Sequence, residues 1–340
     1  MKVAVLGASV SAQTVRHDTG EVAGYCEVLR RQWLGAIGAA SLTQICYAGS
    51  RLSDGGLYRV GHVIGHQPDI CIVEPLVEDN RRGRATTRDE AVFVYRSLLR
   101  RRILPVVLFL PDPAKRTPRK WANFELHQDL CQVLGLPCIE VDLSAAGDLD
   151  GMFVGLHTRL GGAELYAREI VNGLQAIGDR PAIIEKALQA AAEMRLGLHE
   201  TTVATPERAR VSTIALSVRP RTPGEFGYRV VQAQQVGPFS PKIAVDASGP
   251  PTQGEALRSV WDPYCHFERR AWPVLDDRHV GAPGLARTVT ITLSPFDPDY
   301  ATSLRAVASW PGVVDRSLRP AGPIKVFSTV PVDVELLAYE

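Results

Sequence analysis

Two residues able to carry an acyl transfer stand far apart in the chain, Ser9 and His157. Ser9 follows the apolar run Val3-Ala4-Val5-Leu6-Gly7, where a strand should be turning into a loop. In an open α/β sheet the loops at the carboxyl ends of the strands carry the site, so a serine there is a candidate nucleophile. A plain structural turn is the other reading. A dinucleotide-binding turn would need G-x-G-x-x-G, and the next glycine after Gly7 is Gly20. His157 lies in Gly155-Leu156-His157-Thr158-Arg159, just before an apolar-periodic segment. An imidazole can take and return a proton near neutral pH; a lone loop histidine is more often just an exposed polar residue. Ser9 and His157 fall at the first and last strand-to-helix loops of one alternating unit, and such loops can meet at one sheet edge.

Three other stretches could serve chemistry. Tyr47-Ala48-Gly49-Ser50 follows an apolar run, and a glycine there lets the backbone approach a ligand, its N–H facing an oxyanion; a flexible turn is the alternative. Glu74-Pro75-Leu76-Val77-Glu78-Asp79-Asn80, backed by Arg81, Arg82 and Arg84, could orient a substrate or a base, or be a solvated loop. Trp261 to Trp272 packs two tryptophans, Tyr264 and His266 into twelve positions; aromatic faces beside hydrogen-bonding groups suit a sugar or a domain interface. Cys265, His266 and Glu268 lack a partner motif for a metal, so neither metal nor cofactor is expected.

The elements that must position these residues follow from hydrophobic period. Val3–Leu6, Gln44–Tyr47, Ile70–Val73, Ile103–Leu110 and Pro137–Val141 are continuously apolar, as parallel strands covered on both faces should be. Helical spacing predicts helices over Glu21–Ile37, Arg88–Arg101, Pro118–Leu134 and Leu160–Ile177; Thr87 with Glu90 forms a capping-box signature. The alternation predicts a three-layer α/β domain over 1–178. A helix within 179–199, with Pro181 near its start, reads as a connector. Beyond it, Thr213–Val218, Tyr228–Gln232, Lys242–Val245, Thr288–Leu293 and Ile324–Leu337 are β-type between proline- and glycine-rich turns. They predict an all-β, sandwich-like domain over 200–340.

Bulk properties narrow the function classes. With 340 residues, 45% hydrophobic and 22% charged, two globular domains are expected. A net charge of +1 without a basic stripe favours neither nucleic acid nor an anionic membrane. No apolar run reaches the ~20 residues of a membrane span. The six cysteines form no CxxC pair, which suits free thiols in a reducing compartment, and no leader pattern is apparent, so a cytoplasmic location is expected.

Over residues 1–178 the stretches resemble the SGNH (GDSL-type) hydrolases, a flavodoxin-like family of esterases, lipases and carbohydrate acyl-handling enzymes. Gly7-Ala8-Ser9-Val10-Ser11 is similar to the first block, G-D-S-x-[ST], which puts Ser9 at the nucleophile. The resemblance makes Gly49 an oxyanion donor and His157, in His157-Thr158 through Gly162-Ala163-Glu164-Leu165-Tyr166-Ala167, the general base. Four positions depart from the pattern. Ala8 replaces the aspartate of the first block. The third block, G-x-N-D, falls on Leu76-Val77-Glu78-Asp79, where Leu76 replaces the glycine and Glu78 stands for the asparagine that supplies the third oxyanion donor. A carboxylate cannot donate unless protonated, and losing one such donor costs about 10²–10³ in rate; Asn80 is the candidate replacement. The acid of D-x-x-H would fall on Val154, which cannot orient an imidazole, so Asp150 or Asp148 must fill in or the site runs as a Ser–His dyad.

The expectation is a serine esterase or O-acyltransferase working on an acyl, chiefly acetyl, ester of a carbohydrate or glycan precursor. Its catalytic residues would be Ser9, His157 and Asp150, its oxyanion residues Gly49, Asn80 and Glu78, and its substrate contacts Trp261 and His266. The alternative from another class is a catalytically weakened carbohydrate-binding or assembly protein on the same fold.

Overall fold

The sheet of the first unit has the order β2-β1-β3-β4-β5, all parallel. In the computed structural model its strands are β1 (Lys2–Gly7), β2 (Ser41–Cys46), β3 (Ile70–Glu74), β4 (Leu104–Phe109) and β5 (Cys138–Glu140). The structure describes residues 1–14, 20–47, 49–74, 86–121, 123–195, 197–206, 211–222, 226–236, 242–247, 258–259, 267–277, 286–294 and 322–340. Every residue of β3 and β4 is buried, which is why these runs carry no polar alternation. Two compact units divide the chain, Met1–Leu196 and Gly197–Glu340.

Helices cover the sheet in two groups. The helix α2 (Tyr25–Val28) packs on α6 (Leu160–Gln175), and α3 (Leu57–Gly65), α4 (Arg88–Leu99), α5 (Phe124–Leu134) and α7 (Arg180–Glu193) contact one another. The Thr87 capping box is present: Glu90 N–H donates to Thr87 Oγ1 at 3.3 Å and Thr87 N–H to Glu90 Oε2 at 2.8 Å. Between α4 and α5, Tyr95 OH meets His127 Nδ1 at 2.8 Å, and burial pushes that imidazole down to about 4, so it stays neutral.

The structure departs from the sequence expectation in specific places. The helix predicted over 21–37 begins only at Tyr25 and ends in a π-type turn, Leu29–Trp33. Its start is delayed because Thr14 O accepts from both Ala23 N–H and Gly24 N–H at 2.9 Å, which holds the chain extended there. The glycine stretch after β2 is not all loop. Leu52–Gly56 forms a π-type turn that runs into α3, a helix absent from the expectation, whose Leu57, Val60 and Val63 are buried. Gly55 is needed there because a Cβ would come within 2.5 Å of Ser50 Oγ.

The second unit has the strands β8 (His199–Val203), β9 (Thr213–Pro220), β10 (Tyr228–Val236), β11 (Lys242–Ala247), β12 (Arg258–Ser259), β13 (Phe267–Asp277), β14 (Arg287–Ser294), β15 (Ile324–Ser328) and β16 (Val332–Tyr339), paired antiparallel in two sheets, β13-β10-β15-β8 and β12-β11-β14-β9-β16. Ile214, Leu216, Val218 and Ile291 from one sheet and Tyr228, Val230, Ile324 and Val326 from the other share one core, as a sandwich requires. The stretch read as one strand, 324–337, is two: β15 (Ile324–Ser328) and β16 (Val332–Tyr339). Pro331 breaks the run and β16 crosses to the other sheet. Three strands had no sequence signal, β8 (His199–Val203), β12 (Arg258–Ser259) and β13 (Phe267–Asp277).

Among the described residues all cysteines are free, Cys26, Cys71 and Cys131 are buried, and Cys138 is exposed. A hydrogen bond from the Cys131 thiol holds the Cys138 thiol below its usual range, at about 7. Burial pushes Cys71 up instead. We therefore expect iodoacetamide at pH 7.5 to alkylate Cys138 first, with Cys26 and Cys71 untouched until denaturant is added. Peptide mapping by mass spectrometry reads the order; equal labelling of all would contradict the burial pattern.

Candidate active site

The strand order reverses direction between β1 and β3, and the carboxyl ends of those two strands are where an open α/β sheet binds its ligand. Gly7 at the end of β1 is level with Cys46 of β2 and with Glu74 of β3. Ser9 opens a single helical turn, α1 (Ser9–Ala12), just beyond this edge. Its Oγ is buried and has no hydrogen-bond partner among the described residues.

A buried carboxylate holds the turn from below. Glu74, 1% exposed, accepts from Ala8 N–H at 3.3 Å and from Ser11 Oγ at 3.0 Å, both on Oε2. Ser11 spends its one proton on Glu74, so at 2.6 Å its lone pair takes the proton of Tyr25 OH. Burial, with the Cys26 and Cys46 thiols and the Glu74 carboxylate nearby, pushes the Tyr25 hydroxyl well above its ordinary range and keeps it a donor. Gly7 makes room for this network, since a Cβ there would lie 2.6 Å from Ser11 Oγ and 3.3 Å from Glu74 Oε2. The sequence marked Glu74 only as one of several polar groups at a strand end. Its place under Ser9 supplies a carboxylate to the first block, where Ala8 has none.

The second turn is fixed beside the first. Tyr47 N–H donates to Gly7 O at 3.2 Å and Ser50 N–H to Tyr47 O at 3.1 Å. Gly49 has φ +74°, a left-handed value that favours glycine. Arg51 and Asp54 brace its far side: Asp54 accepts from Arg51 N–H at 2.7 Å and from its Nε at 2.8 Å. The Arg59 guanidinium, itself buried, stacks on the Tyr47 ring at 4.1 Å.

His157 sits not in an open loop but on a small hairpin, β6 (Phe153–Val154) with β7 (His157–Thr158), turned by Gly155 at φ +59°. Val154 pairs directly with His157. The hairpin is backed by an aromatic chain in which Tyr166 of α6 lies 5.5 Å from Phe153 and 6.4 Å from Tyr25. Gly162 lets α6 approach, because a Cβ there would strike Met152 O and the Phe153 ring. The hairpin strand β7 contacts α1, so the turns that carry Ser9 and His157 adjoin. The imidazole is exposed, and it does not hydrogen-bond Ser9 Oγ. Such bonds are often made only once substrate is bound.

Asp150 is exposed and makes no hydrogen bond or ion pair among the described residues, while Asp148 caps its own turn by accepting from Gly151 N–H at 3.0 Å. Glu78, Asn80, Trp261 and His266 lie outside the described residues. Among those described, no cluster of His, Cys, Asp and Glu could hold a metal ion, and no helix is long and apolar enough to cross a membrane.

No protein-family model matches the chain, and neither does any curated protein. Solved structures do. A two-domain esterase active on acetylated mannans superposes with a TM-score of 0.53 at 11% identity, over 98% of this chain and 92% of its own. A structure of such an esterase co-crystallised with mannopentaose gives 0.51 at 12% identity, over 96% and 90%. A lipase/acylhydrolase from Enterococcus faecalis covers 50% of this chain and 93% of its own, with a TM-score of 0.41 at 19% identity. At these identities the likeness is one of fold. The chain has the SGNH hydrolase fold, a flavodoxin-like domain, followed by a C-terminal β domain.

Proposed function

We propose that the protein is a serine esterase that removes acetyl groups from a carbohydrate. The observation that carries this reading is the placement of Ser9: at the carboxyl edge between β1 and β3, its turn clamped by Glu74, with the His157 hairpin alongside. Full-length likeness to an esterase active on acetylated mannans supports the substrate class.

In this mechanism Ser9 Oγ attacks the acetyl carbonyl carbon while His157 takes its proton. The N–H groups of Ser9 and Gly49 hold the tetrahedral oxyanion. Collapse expels the sugar oxygen, which takes the proton back from His157. Water, deprotonated by His157, then attacks acetyl-Ser9; the Oγ–acyl bond breaks, Ser9 Oγ takes the proton back from His157, and acetate leaves. His157 is held in place by its hairpin, and Asp150 on the loop before it is solvent-exposed. A sugar hydroxyl in place of the water would make the same site an O-acyltransferase.

The test uses the purified full-length chain with a fluorophosphonate probe, 4-nitrophenyl acetate and acetylated mannan. We expect a single label on the Ser9 peptide, and acetate release that the label abolishes. A label elsewhere, or acetate release indifferent to it, would overturn the reading in favour of a binding role. Acetyl appearing on an added glycan faster than free acetate would make transfer the physiological reaction.

A further inference from the structure

We infer that Gln13 is the positioning residue that sets His157 against Ser9; the inference rests on the reading of those two residues as base and nucleophile. Gln13 is the first residue beyond α1, and its backbone N–H donates to Ser9 O at 3.1 Å. Its side chain reaches Thr158, 145 residues away in sequence. There Nε2 donates to Thr158 O at 2.7 Å, while Oε1 accepts from Thr158 N–H at 3.1 Å. The primary amide thus exchanges two bonds with one backbone residue, as a neighbouring strand would. One residue therefore binds the main chain of the nucleophile and the residue next to the base.

The geometry bears on His157 directly. The Thr158 N–H belongs to the peptide plane that follows the Cα of His157, so holding it fixes where the imidazole is rooted. Thr158 is 2% exposed, and its hydroxyl donates to Ala23 O. On the other side Gln13 is pinned by Gly24, where any Cβ would run into the Gln13 carbonyl. The next residue, Thr14, accepts from Ala23 and Gly24. Segments 13–14, 23–24 and 158 thus lock into one knot behind the site.

The chemistry requires glutamine. Asparagine is one methylene too short to keep these bonds. Leucine offers neither donor nor acceptor. A glutamate carboxylate still accepts from Thr158 N–H but sets a second oxygen against Thr158 O, whereas a protonated carboxyl has one donor and one acceptor, as the amide does. The variant Gln13→Glu should therefore regain function relative to wild type as pH falls.

The experiment measures kcat and KM on 4-nitrophenyl acetate, and the fluorophosphonate labelling rate, for full-length wild type, Ser9→Ala, Gln13→Leu, Gln13→Glu, His157→Ala and Gln13→Leu/His157→Ala. Displacing a reacting group by about 1 Å can cost on the order of 10²-fold. We expect Gln13→Leu to lose roughly 10- to 100-fold in kcat with KM changed less than about twofold. In the His157→Ala background the same change should have little effect, because its route through His157 is gone. For Gln13→Glu, the activity ratio to wild type at matched pH should rise from pH 8 to pH 5. Equal loss in both backgrounds, or a flat ratio for Gln13→Glu, would reduce Gln13 to a packing residue and overturn the proposal. If Gln13→Leu fails to fold, the Gln13→Glu ratio decides alone. Wild type no faster than Ser9→Ala would remove the esterase reading and this inference with it. Wild type far above Ser9→Ala, with Gln13→Leu unchanged, would remove only the latter.

Discussion

Ser9→Ala is expected to lower kcat by about 10⁴-fold or more while leaving the protein at least as stable as wild type. In the proposed mechanism the loss follows from removing the atom that would form the acyl-enzyme. The stability follows from what that atom does now: Ser9 Oγ is buried without a hydrogen-bond partner among the described residues. A hydroxyl taken from water without a new bond destabilises the fold, so deleting it relieves a cost. Fluorophosphonate labelling should vanish in parallel. Urea titration and initial rates on 4-nitrophenyl acetate measure both halves. A variant that keeps more than a tenth of wild-type kcat would put the chemistry on another residue. A variant that is less stable by over ~1 kcal/mol would mean that the hydroxyl is bonded in solution.

Glu74→Leu should destabilise the first unit by about 2–5 kcal/mol, because it strands two buried donors at once. Ala8 N–H and Ser11 Oγ both use Glu74 Oε2, and each abandoned buried donor costs about 1–3 kcal/mol. Domains are stable by only about 5–15 kcal/mol in total, so the shift should be plain in a urea midpoint. Glu74→Gln should cost much less, since its amide oxygen can occupy the Oε2 position and accept both bonds. The pair of variants separates hydrogen bonding from volume. If Glu74→Leu and Glu74→Gln had the same midpoint, the carboxylate would not be the clamp described here. The Leu variant should also turn over ester more slowly at temperatures where it is fully folded, because Ser9 then rides on a turn held at one end.

Much of the scaffold was legible because it is written locally. Ile70–Val73 and Ile103–Leu110 are buried strands whose apolar runs say so, and Thr87 caps a helix with a partner three residues on. Both Ser9 and His157 were expected in strand-to-helix loops; Ser9 follows β1 as expected, whereas His157 lies on a two-stranded hairpin outside the parallel sheet, whose strand contacts the Ser9 turn. Residues that act across the fold leave no such mark. Gln13 is an ordinary polar residue until Thr158 meets it, and Glu74 resembles a loop acid until its burial under Ala8 is seen. The helix at 57–65 was masked by the glycines around it, which read as turn but serve close packing against Ser50 and Leu52. Spacing puts the acid of the last block on Val154, and Asp150 was a candidate only as a carboxylate of the same loop; sharing a loop does not report exposure, and Asp150 is exposed.

The bond between Gln13 and Thr158 also has a consequence in time. During synthesis the chain emerges from its amino end, and Ser9 and Glu74 are available to each other after fewer than half the residues of the first unit have been made. Thr158 comes much later, and with it the hairpin that bears His157. A contact of such long sequence separation forms only after the intervening strands have found their places. The serine is thus built first and equipped last. If Ser9 and His157 act as proposed, a prematurely ended chain would hold its nucleophile without its base, and hydrolytic competence would arrive with completion of the first unit.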